Sequence, residues 1–422
     1  MARFDYDIGI IGAGAAGLTI ASGSAQLGAR TLLIEKEPQL GGDCLHYGCV
    51  PSKTLIQSAK IYHQAQHTHR YGLPRASIEA VNMQHINQRI QEVIQTIQHH
   101  DSVERFCGLG AHVRFGSPRF TDEHCIDLGG QKISARKWVI ATGSSPAKPV
   151  VKSLESIPYI TNKDLFSLPS LPDSMIVLGA GPIAIEMAQA FSRLGSKITV
   201  VQRSGQILSK EDKDLADILQ KKLEQEGIRF YLNASVVDAG QANNQSWIEI
   251  SQDKNERKRL EAAEVLLAQG REVNIRELGL SNIGVLYDQH GIRVDRRMRT
   301  SQKHIFAAGD VTGTYQFTHA AGYEGSIVVS NAIFHLPRKV NYTWMPWCTY
   351  SAPELASIGM NEKRAQAAGI DYTVLTEQFS NNDRAQAEGQ TVGSLKLLLN
   401  KKKTPLAYKS LAPMQVNSSL SG

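Results

Sequence analysis

The apolar and polar positions near the N-terminus predict a short buried strand, a turn rich in glycine, a helix and a second strand. These elements cover residues 6–11, 12–17, a helix to about residue 27, and 31–34. The same order returns at 175–178, 179–184, a helix to about residue 194, and 197–201. Short runs that are apolar throughout are typical of parallel strands buried on both faces. The pattern therefore predicts two copies of one βαβ unit.

Other segments extend this organisation. A buried strand that runs into a glycine turn is predicted at 134–147, a weaker copy of it at 264–272, and a strand followed by Gly and an acid at 304–313. Residues 84–100 form an amphipathic pattern whose apolar face comprises Ile86, Ile90, Val93, Ile94 and Ile97. The predicted domains are 1–150 together with 270–336, then 151–269, then 337–406, and a tail at 407–422.

Each copy of the unit has glycines at dinucleotide-binding spacing, namely Gly12, Gly14 and Gly17 in the first and Gly179 and Gly181 in the second. Glycine permits the tight turn and lets backbone amides approach a pyrophosphate, which the positive end of the following helix stabilises. A glycine-rich turn without a ligand is the alternative. Two copies, each between a strand and a helix, favour two dinucleotide sites.

The two copies differ at the end of their second strand. Glu35 lies 23 positions after Gly12, whereas the equivalent position after Gly179 is Gln202, followed by Arg203. A carboxylate accepts hydrogen bonds from a ribose 2′-hydroxyl and repels a 2′-phosphate. The first site therefore favours FAD or NAD. The second favours NADP, although Arg203 as a solvated surface charge is the alternative.

Length and composition restrict the class of protein. At roughly 150 residues per domain, 422 residues indicate two or three domains. The hydrophobic content of 42% excludes a disordered chain, and the net charge of +6 is spread along it, which predicts no nucleic-acid or anionic-membrane partner. Five cysteines are too few, and odd in number, for a secreted disulfide framework. With no long apolar run and no signal peptide, a cytoplasmic protein with reduced thiols is expected.

Cys44 and Cys49 are the candidate chemical centre. Their C-x4-C spacing does not suit zinc without a second pair, and Cys107 and Cys125 lack the short spacing of one. Two thiols five positions apart can form a small, strained disulfide at the start of a helix, where the helix dipole lowers the pKa of a thiol; such a bond is a redox couple. On spacing alone, two structural cysteines are the favoured interpretation.

Several motifs together resemble the flavin-dependent pyridine nucleotide–disulfide oxidoreductases, the family of dihydrolipoamide dehydrogenase, glutathione reductase and mercuric reductase. The resemblance covers about residues 6–406, and its motifs are GAGAAG, CLHYGCVPSK, ATG, GAGPIAIE, AAGD and TYSAPELASIG. The segments GGDCLHYGCVPSK and NDRAQAEG are most similar to the mercuric reductase and dihydrolipoamide dehydrogenase branch.

The resemblance implies a role for each matching position. Cys49 would be the thiolate that faces the flavin in a charge-transfer complex, Cys44 would attack the external substrate, and Lys53 and Glu186 would form an ion pair near flavin N5. Gly12, Gly14, Gly17 and Glu35 would hold the adenosine half of FAD, Thr142 and Gly143 would line it, and Asp310 would bind its ribityl chain. Gly179, Gly181 and Arg203 would hold NAD(P)H. Further cofactor-binding candidates are Lys36, Gly42, Lys53, Gln202 and Gly270, and no metal-binding residue is implied.

The implied reaction passes electrons from NADPH or NADH to FAD, then to the Cys44–Cys49 disulfide, and then to a small disulfide or Hg(II) in a homodimeric enzyme. This chain departs from the family at Val273, where a proline is usual. It also lacks the vicinal cysteines of mercuric reductases near the C-terminus. No histidine follows His335, so the His-x4-Glu base of the lipoamide and glutathione enzymes is not expected.

The tail at 407–422 does not resemble the family as written. Codons chosen for it can be shifted by one base after the Leu406 codon so that they read GVQILGPHAGELISEW, which resembles the family's continuation. We therefore expect a one-base deletion at this point; a divergent natural tail is the alternative. The expected consequence is a dimerisation domain that has lost the second half of its sheet and its closing helices, with uncovered apolar faces and poor solubility or weak dimerisation.

The predicted fold class is α/β, with two Rossmann-like domains for FAD and NAD(P) and an incomplete α+β C-terminal dimerisation domain. The predicted function is an NAD(P)H-dependent flavin disulfide or Hg(II) reductase. One alternative is an NAD(P)H oxidase or diaphorase. The other is an FAD-binding remnant with impaired catalysis.

Overall fold

The computed structural model describes residues 4–242, 245–252 and 256–412 and divides into two compact units. The first unit contains 1–51, 91–145 and 271–342, and the second contains 52–90, 146–270 and 343–422. The helices Cys49–Gln66 and Met83–Gln98 each begin in one unit and end in the other. None of the helices in the described part of the chain is both long and apolar enough to cross a membrane.

The first unit is built on a parallel sheet. Its strands lie in the order Ala111–Phe115, Thr31–Glu35, Tyr6–Ile11, Gln131–Ile140 and Ile305–Ala307. The start of the strand Gln131–Ile140 also continues into an antiparallel extension with Cys125–Leu128 and Arg119–Phe120. The other elements are Ala15–Gln26, Gly42–His46, Val103–Gly108, Thr318–Ala332, and the short hairpin Tyr287–Asp288 and Gly291–Ile292.

The core of this unit lies on both faces of its sheet. Ile10 aligns with Leu33 and Val139 and packs with them on one face. The next position along, Ile11, belongs to the core on the opposite face. Because neighbouring residues of a strand point to opposite faces, continuous apolar runs are what a doubly covered parallel sheet requires. This confirms the predicted strands at 6–11 and 31–34.

The second unit contains another parallel sheet, in the order Arg229–Tyr231, Lys197–Val201, Ser174–Leu178 and Glu264–Leu267. Ile176 and Leu178 pack against Ile248 and Ile250 of a three-stranded antiparallel sheet. That sheet is formed by Ala234–Ala242, Gln245–Gln252 and Glu256–Ala262, and the main helices of this region are Pro182–Leu194 and Lys213–Gln225. The repeat predicted from the sequence is therefore present in both units.

The C-terminal part of the second unit is a five-stranded antiparallel sheet. Its order is Pro346–Thr349, Glu354–Gly359, Pro405–Ala412, Ser394–Asn400 and Tyr372–Gln378, with the short helices Glu362–Ala367 and Asp383–Ala387.

This sheet corrects one expectation from the sequence. The strand Pro405–Ala412 crosses the boundary predicted after Leu406 and pairs with a neighbour on each side, so the sheet continues to residue 412. Alternation allows this, because Ala407 and Leu411 are buried in the core and the buried Lys409 pairs with Glu211 at 3.1 Å. The expected one-base deletion concerns the gene and stays a prediction, and residues 413–422 lie outside the described residues.

The remaining short elements are single turns of 3-10 helix and one two-strand pairing. The turns are Thr68–Tyr71, His99–Asp101, Lys152–Ser156, Leu165–Ser167, Leu280–Ile283, Asp310–Thr312 and Phe379–Asn381. The paired strands are Ser144–Pro146 and Arg271–Val273.

Candidate functional site

The two glycine turns have the same backbone. Gly12 has φ 103° and Gly179 has φ 107°, values that residues with a side chain rarely adopt. A Cβ atom at either position would lie 2.4 Å from a carbonyl oxygen of the neighbouring strand end, Ala141 in one case and Ala268 in the other. Only glycine fits such a turn, so the first glycine of each motif is required by geometry.

Each turn opens a helix that begins with a glycine N-cap in extended conformation, Gly14 in the first and Gly181 in the second. A Cβ on Gly17 would lie 1.8 Å from the Gly12 oxygen, so this glycine allows the helix to pack on the turn. A Cβ on Gly181 would meet no atom within 4 Å. Helix N-termini bounded by such turns present free amides to an anion, and both sites have the form of a diphosphate cradle.

Glu35 organises the first turn. The side chain is 7% exposed, and its carboxylate accepts hydrogen bonds from the backbone amides of Ala13 at 2.7 Å, Lys36 at 2.7 Å and Glu37 at 3.0 Å. The side chain of Lys36 is exposed and lies 3.7 Å from the carboxylate of Glu37. A carboxylate has about four acceptor positions, so Glu35 can still accept a ribose hydroxyl.

The second turn lacks this carboxylate. The Gln202 side chain donates to Ser204 Oγ at 2.8 Å, and that hydroxyl donates to the Gln206 carbonyl at 2.9 Å. The Arg203 side chain is exposed. A cation beside a hydroxyl, without an acid, suits a phosphorylated ribose better than a bare one.

A second group of residues in the first unit surrounds the ATG motif. Thr142 Oγ1 donates to the Asn274 carbonyl at 2.6 Å, and the Asn274 amide group donates back to the Thr142 carbonyl at 2.9 Å. The Asn274 backbone amide also donates to the carbonyl of Gly143 at 3.0 Å. Asn274 therefore fixes the predicted cofactor loop, a role that no sequence motif predicted.

Asp310 lies in a network of charged and polar groups. Ser144 Oγ donates to its carboxylate at 2.5 Å, and Arg271 donates to Ser144 Oγ at 2.7 Å. Arg271 also pairs with Asp43 at 3.1 Å and lies 3.8 Å from Asp310. Burial raises the pKa of Asp310, against the lowering effect of Ser144 and Arg271. The network holds Asp310 in a fixed position beside the helix that carries Cys44.

Two further glycines of the predicted set lie in turns. Gly42 begins the helix Gly42–His46, and a Cβ there would lie 2.7 Å from the Cα of Gly14, so the two loops are in direct backbone contact. Gly270 has φ 126°, and its carbonyl accepts from the Ala147 amide at 3.0 Å.

Two neighbouring helices bring the two candidate redox cysteines together. Cys44 lies in the short helix Gly42–His46, and Cys49 is the first residue of the helix Cys49–Gln66. Their side chains are hydrogen-bonded, and Cys49 Sγ lies 3.4 Å from Thr318 Oγ1. A thiol at the start of a long helix is a position where the dipole stabilises negative charge.

The environment of this pair separates the two thiols. The hydrogen bond with Cys49 and burial both raise the pKa of Cys44, with a further increase from the charge of Cys49. These effects favour the protonated form of Cys44 over its thiolate. Cys44 is half-buried and Cys49 is exposed.

In the second unit, the structure brings Lys53 and Glu186 together. Lys53 Nζ lies 2.8 Å from Glu186 Oε2, and the Glu186 side chain is 4% exposed. Glu186 Oε1 accepts the backbone amide of Tyr350 at 2.9 Å, and Lys53 Nζ stands 4.4 Å from the centre of the Tyr350 ring. Glu186 thus holds a cation on one side and the TYSAPELASIG segment on the other.

Comparison with known proteins identifies the family of this chain. Residues 6–325 match the model of the pyridine nucleotide-disulphide oxidoreductase family, and residues 345–407 match the dimerisation domain of the same family. The chain is 31% identical over 402 residues to mercuric reductase from Bacillus cereus, covering 95% of this chain and 63% of that protein. It is 33% identical over 400 residues to dihydrolipoyl dehydrogenase from Geobacillus stearothermophilus, covering 93% of this chain and 83% of that protein.

A solved structure is similar over nearly the whole chain. The HOCl-induced flavoprotein disulfide reductase RclA from Escherichia coli gives a TM-score of 0.86 at 27% identity, covering 99% of this chain and 92% of that chain. This confirms the predicted α/β class and the resemblance inferred from the motifs. The chain belongs to the pyridine nucleotide-disulphide oxidoreductase family.

Proposed function

We propose that the protein is an NADPH-dependent FAD enzyme that reduces a small disulfide, or Hg(II), through Cys44 and Cys49. The observation that carries the proposal is the hydrogen-bonded thiol pair at the start of a helix, where the pKa of Cys44 is raised and the helix dipole favours a thiolate at Cys49. Structural cysteines would not need this separation.

The first unit fits FAD. The turn at Gly12 has no space for a side chain, so a ligand can approach its backbone closely. Glu35 is placed to accept a hydrogen bond from an unphosphorylated ribose. Ser144 and Arg271 hold Asp310 where it can accept hydrogen bonds from a polyhydroxyl chain. When bound, FAD supplies a carrier that takes a hydride from NADPH and delivers an electron pair to the protein. The remaining predicted FAD-binding residues, including Gly42, Thr142 and Gly143, would hold it.

The second glycine turn is proposed to hold the nicotinamide nucleotide. Gly181 leaves open space at the helix N-terminus for a diphosphate, and Arg203 with Ser204 would bind a 2′-phosphate. We therefore propose NADPH rather than NADH as the preferred donor.

The cysteines would carry the electrons in the following steps. The Cys44–Cys49 disulfide takes up two electrons and one proton, and its sulfur–sulfur bond breaks to give one thiol and one thiolate. Cys44 passes its proton to Cys49 and attacks an external disulfide as the thiolate; the first sulfur of the substrate leaves and takes that proton back from Cys49. Cys49 then attacks Cys44, releasing the second thiol and restoring the internal disulfide. With Hg(II) as acceptor, the same electron pair would reduce the ion to the metal.

The Lys53–Glu186 pair is proposed to assist the electron transfer. A buried carboxylate beside the Lys53 ammonium fixes the position of that cation, and the Tyr350 amide fixes the carboxylate in turn. The match of residues 345–407 to a dimerisation domain supports a homodimer.

Three cysteine variants test the proposal, namely Cys44→Ser, Cys49→Ser and the control Cys107→Ser, whose cysteine is exposed and outside the pair. We expect Cys44→Ser and Cys49→Ser to lower NADPH-driven reduction of lipoamide, dithionitrobenzoate or Hg(II) by about 100-fold or more. NADPH-driven reduction of a quinone should persist, because it does not need the thiols.

The control should behave as the unaltered protein in every assay. If Cys44→Ser reduces disulfides and Hg(II) at the unaltered rate, the proposed route is wrong. If only the quinone is reduced, even by the unaltered protein, the chain is a diaphorase.

A further inference from the structure

A buried carboxylate outside the family motifs, Glu324, stands behind the loop that carries Asp310. Glu324 is 0% exposed and lies in the middle of the helix Thr318–Ala332. Its Oε2 accepts the backbone amide of Gly309 at 2.7 Å, and its Oε1 accepts the hydroxyl of Tyr342 at 2.7 Å. Neither partner is charged; the Gly309 amide can only donate, whereas the Tyr342 hydroxyl can also accept the proton of a neutral Glu324 carboxyl group.

Gly309 is fixed between two helices. Its φ of 81° and ψ of −160° form a conformation that only glycine adopts readily. A Cβ there would lie 3.3 Å from the Cβ of Ala16 on one helix and 3.4 Å from that of Ala321 on the other. The turn Asp310–Thr312 follows directly. The orientation of Asp310, the first residue of this turn, therefore depends on how the Gly309 amide is held.

The helix of Glu324 also reaches the redox pair. Its first residue, Thr318, lies 3.4 Å from Cys49 Sγ. Next to Glu324, a Cβ on Gly325 would lie 3.1 Å from the Ala16 oxygen, so this helix packs closely on the first dinucleotide helix. One rigid element thus contacts the cysteines, the Asp310 loop and the helix of the first cradle.

The groups that face Glu324 set its charge. Burial is the main cause that raises its pKa to about 7; hydrogen bonds from Tyr342 and Gly309 oppose the rise, and the charge of Asp310 adds to it. Tyr342 itself is flanked by Tyr323 and Tyr315, and burial and Glu324 raise the pKa of Tyr342. Among the described residues, the ionisable groups that act on the Glu324 carboxyl are Asp310 and Tyr342, and Tyr323 and Tyr315 act in turn on Tyr342.

The sign of the pH effect follows from this raised pKa. The folded protein keeps a proton on Glu324 that the unfolded chain releases near pH 4.5, so the contribution of Glu324 to stability falls as the pH rises from about 4.5 to about 7. Above that range Glu324 and Asp310 both carry charge at the same loop and repel each other.

We propose that Glu324 is a positioning residue for the flavin, holding the Gly309–Asp310 loop in its binding conformation in the protonated state and loosening it when ionised. This inference rests on the proposed function, because it needs FAD to be the ligand of the first unit. The carboxylate is predicted to act on flavin retention rather than on the exchange of electrons between the thiols.

The test is the rate at which the flavin-loaded protein releases FAD on dilution, followed by flavin fluorescence between pH 5.5 and 8.5. For the unaltered chain we expect release to become at least about fivefold faster across this range, with a midpoint near neutrality. Glu324→Gln keeps an acceptor for Gly309 and cannot ionise, so its release rate should stay constant with pH. Tyr342→Phe removes one donor to the carboxylate and should shift the midpoint upward.

Asn331→Leu is the matched control. Asn331 is a buried polar residue of the same helix, and its side chain bonds to Arg297 and Arg338 instead of the Gly309 loop. This variant should lower the melting temperature and leave the pH dependence of release unchanged. If Glu324→Gln keeps the pH dependence of the unaltered protein, the inference is wrong while the proposed function stands. If neither the variants nor the unaltered protein binds FAD, both the inference on Glu324 and the proposed function are wrong.

Discussion

The two glycine turns share one backbone and differ in what holds them. In the first turn, the buried carboxylate of Glu35 accepts hydrogen bonds from three backbone amides, and these bonds fix the conformation of the turn. In the second, Gln202 and Ser204 make a side-chain hydrogen bond and Arg203 is exposed. The difference supports the proposal that the two copies of the βαβ unit bind two different nucleotides. A turn fixed by its own acid suits a cofactor that stays bound, and an open turn with a cation suits a nucleotide that must come and go.

The largest expected effects come from the first glycine of each turn. Gly12→Ala and Gly179→Ala each place a Cβ 2.4 Å from a carbonyl oxygen at a strained backbone conformation, which alone costs about 1–3 kcal/mol. We expect Gly12→Ala to be purified without flavin. Gly179→Ala should keep its flavin but lose reduction of that flavin by NADPH.

The ratio of absorbance at 450 and 280 nm, followed by mixing with NADPH, separates the two outcomes. Loss of flavin from both variants, or from neither, would show that the two turns do not serve different ligands.

The next effect concerns the residues at the ends of the second strands. Glu35→Ala leaves the Ala13 amide without its buried acceptor, which should lower the free energy of unfolding by about 1–3 kcal/mol. Gln202→Ala removes one partly buried side-chain bond and should cost no more than about 1 kcal/mol. Urea unfolding of both variants measures the difference. Equal losses would remove the distinction between a turn fixed by an acid and an open turn.

The smallest expected effect is on nucleotide preference. Arg203→Gln should raise the KM for NADPH by about tenfold, equivalent to about 1.4 kcal/mol, and leave the KM for NADH unchanged. Lys197→Gln is the control, because Lys197 is also exposed but begins the strand that ends just before Gln202. An equal change for both nucleotides would mean that Arg203 does not bind the 2′-phosphate.

The repeat was predictable because its signal is local. Short apolar runs and closely spaced glycines lie within 30 residues of each other, and the strands at 6–11 and 197–201 have the predicted bounds. The Cys44–Cys49 pair also lies within a few positions. The contact of Lys53 with Glu186, by contrast, was inferred from the resemblance and not from spacing.

The residues that the sequence did not reveal act over long separations. Arg271 binds Ser144 across 127 positions, and Asn274 binds Thr142 across 132. Glu324 is one of several polar residues in its helix, and only the packing of the structure shows that its side chain is buried. The strand Pro405–Ala412 was missed for another reason. Its residues differ from those of the family. Its alternating apolar positions and the ion pair of Lys409 with Glu211 nevertheless allow it to pair with a strand on each side.

We propose that electrons from NADPH bound at the second glycine turn reach Cys44 and Cys49. An anaerobic titration of the purified, flavin-loaded protein with NADPH tests this transfer most directly, with thiols counted at each step. We predict that the first equivalent of NADPH produces two new thiols per chain and a long-wavelength absorbance band from a Cys49 thiolate beside the flavin. Bleaching of the flavin by that first equivalent, with no new thiols and no such band, would contradict it.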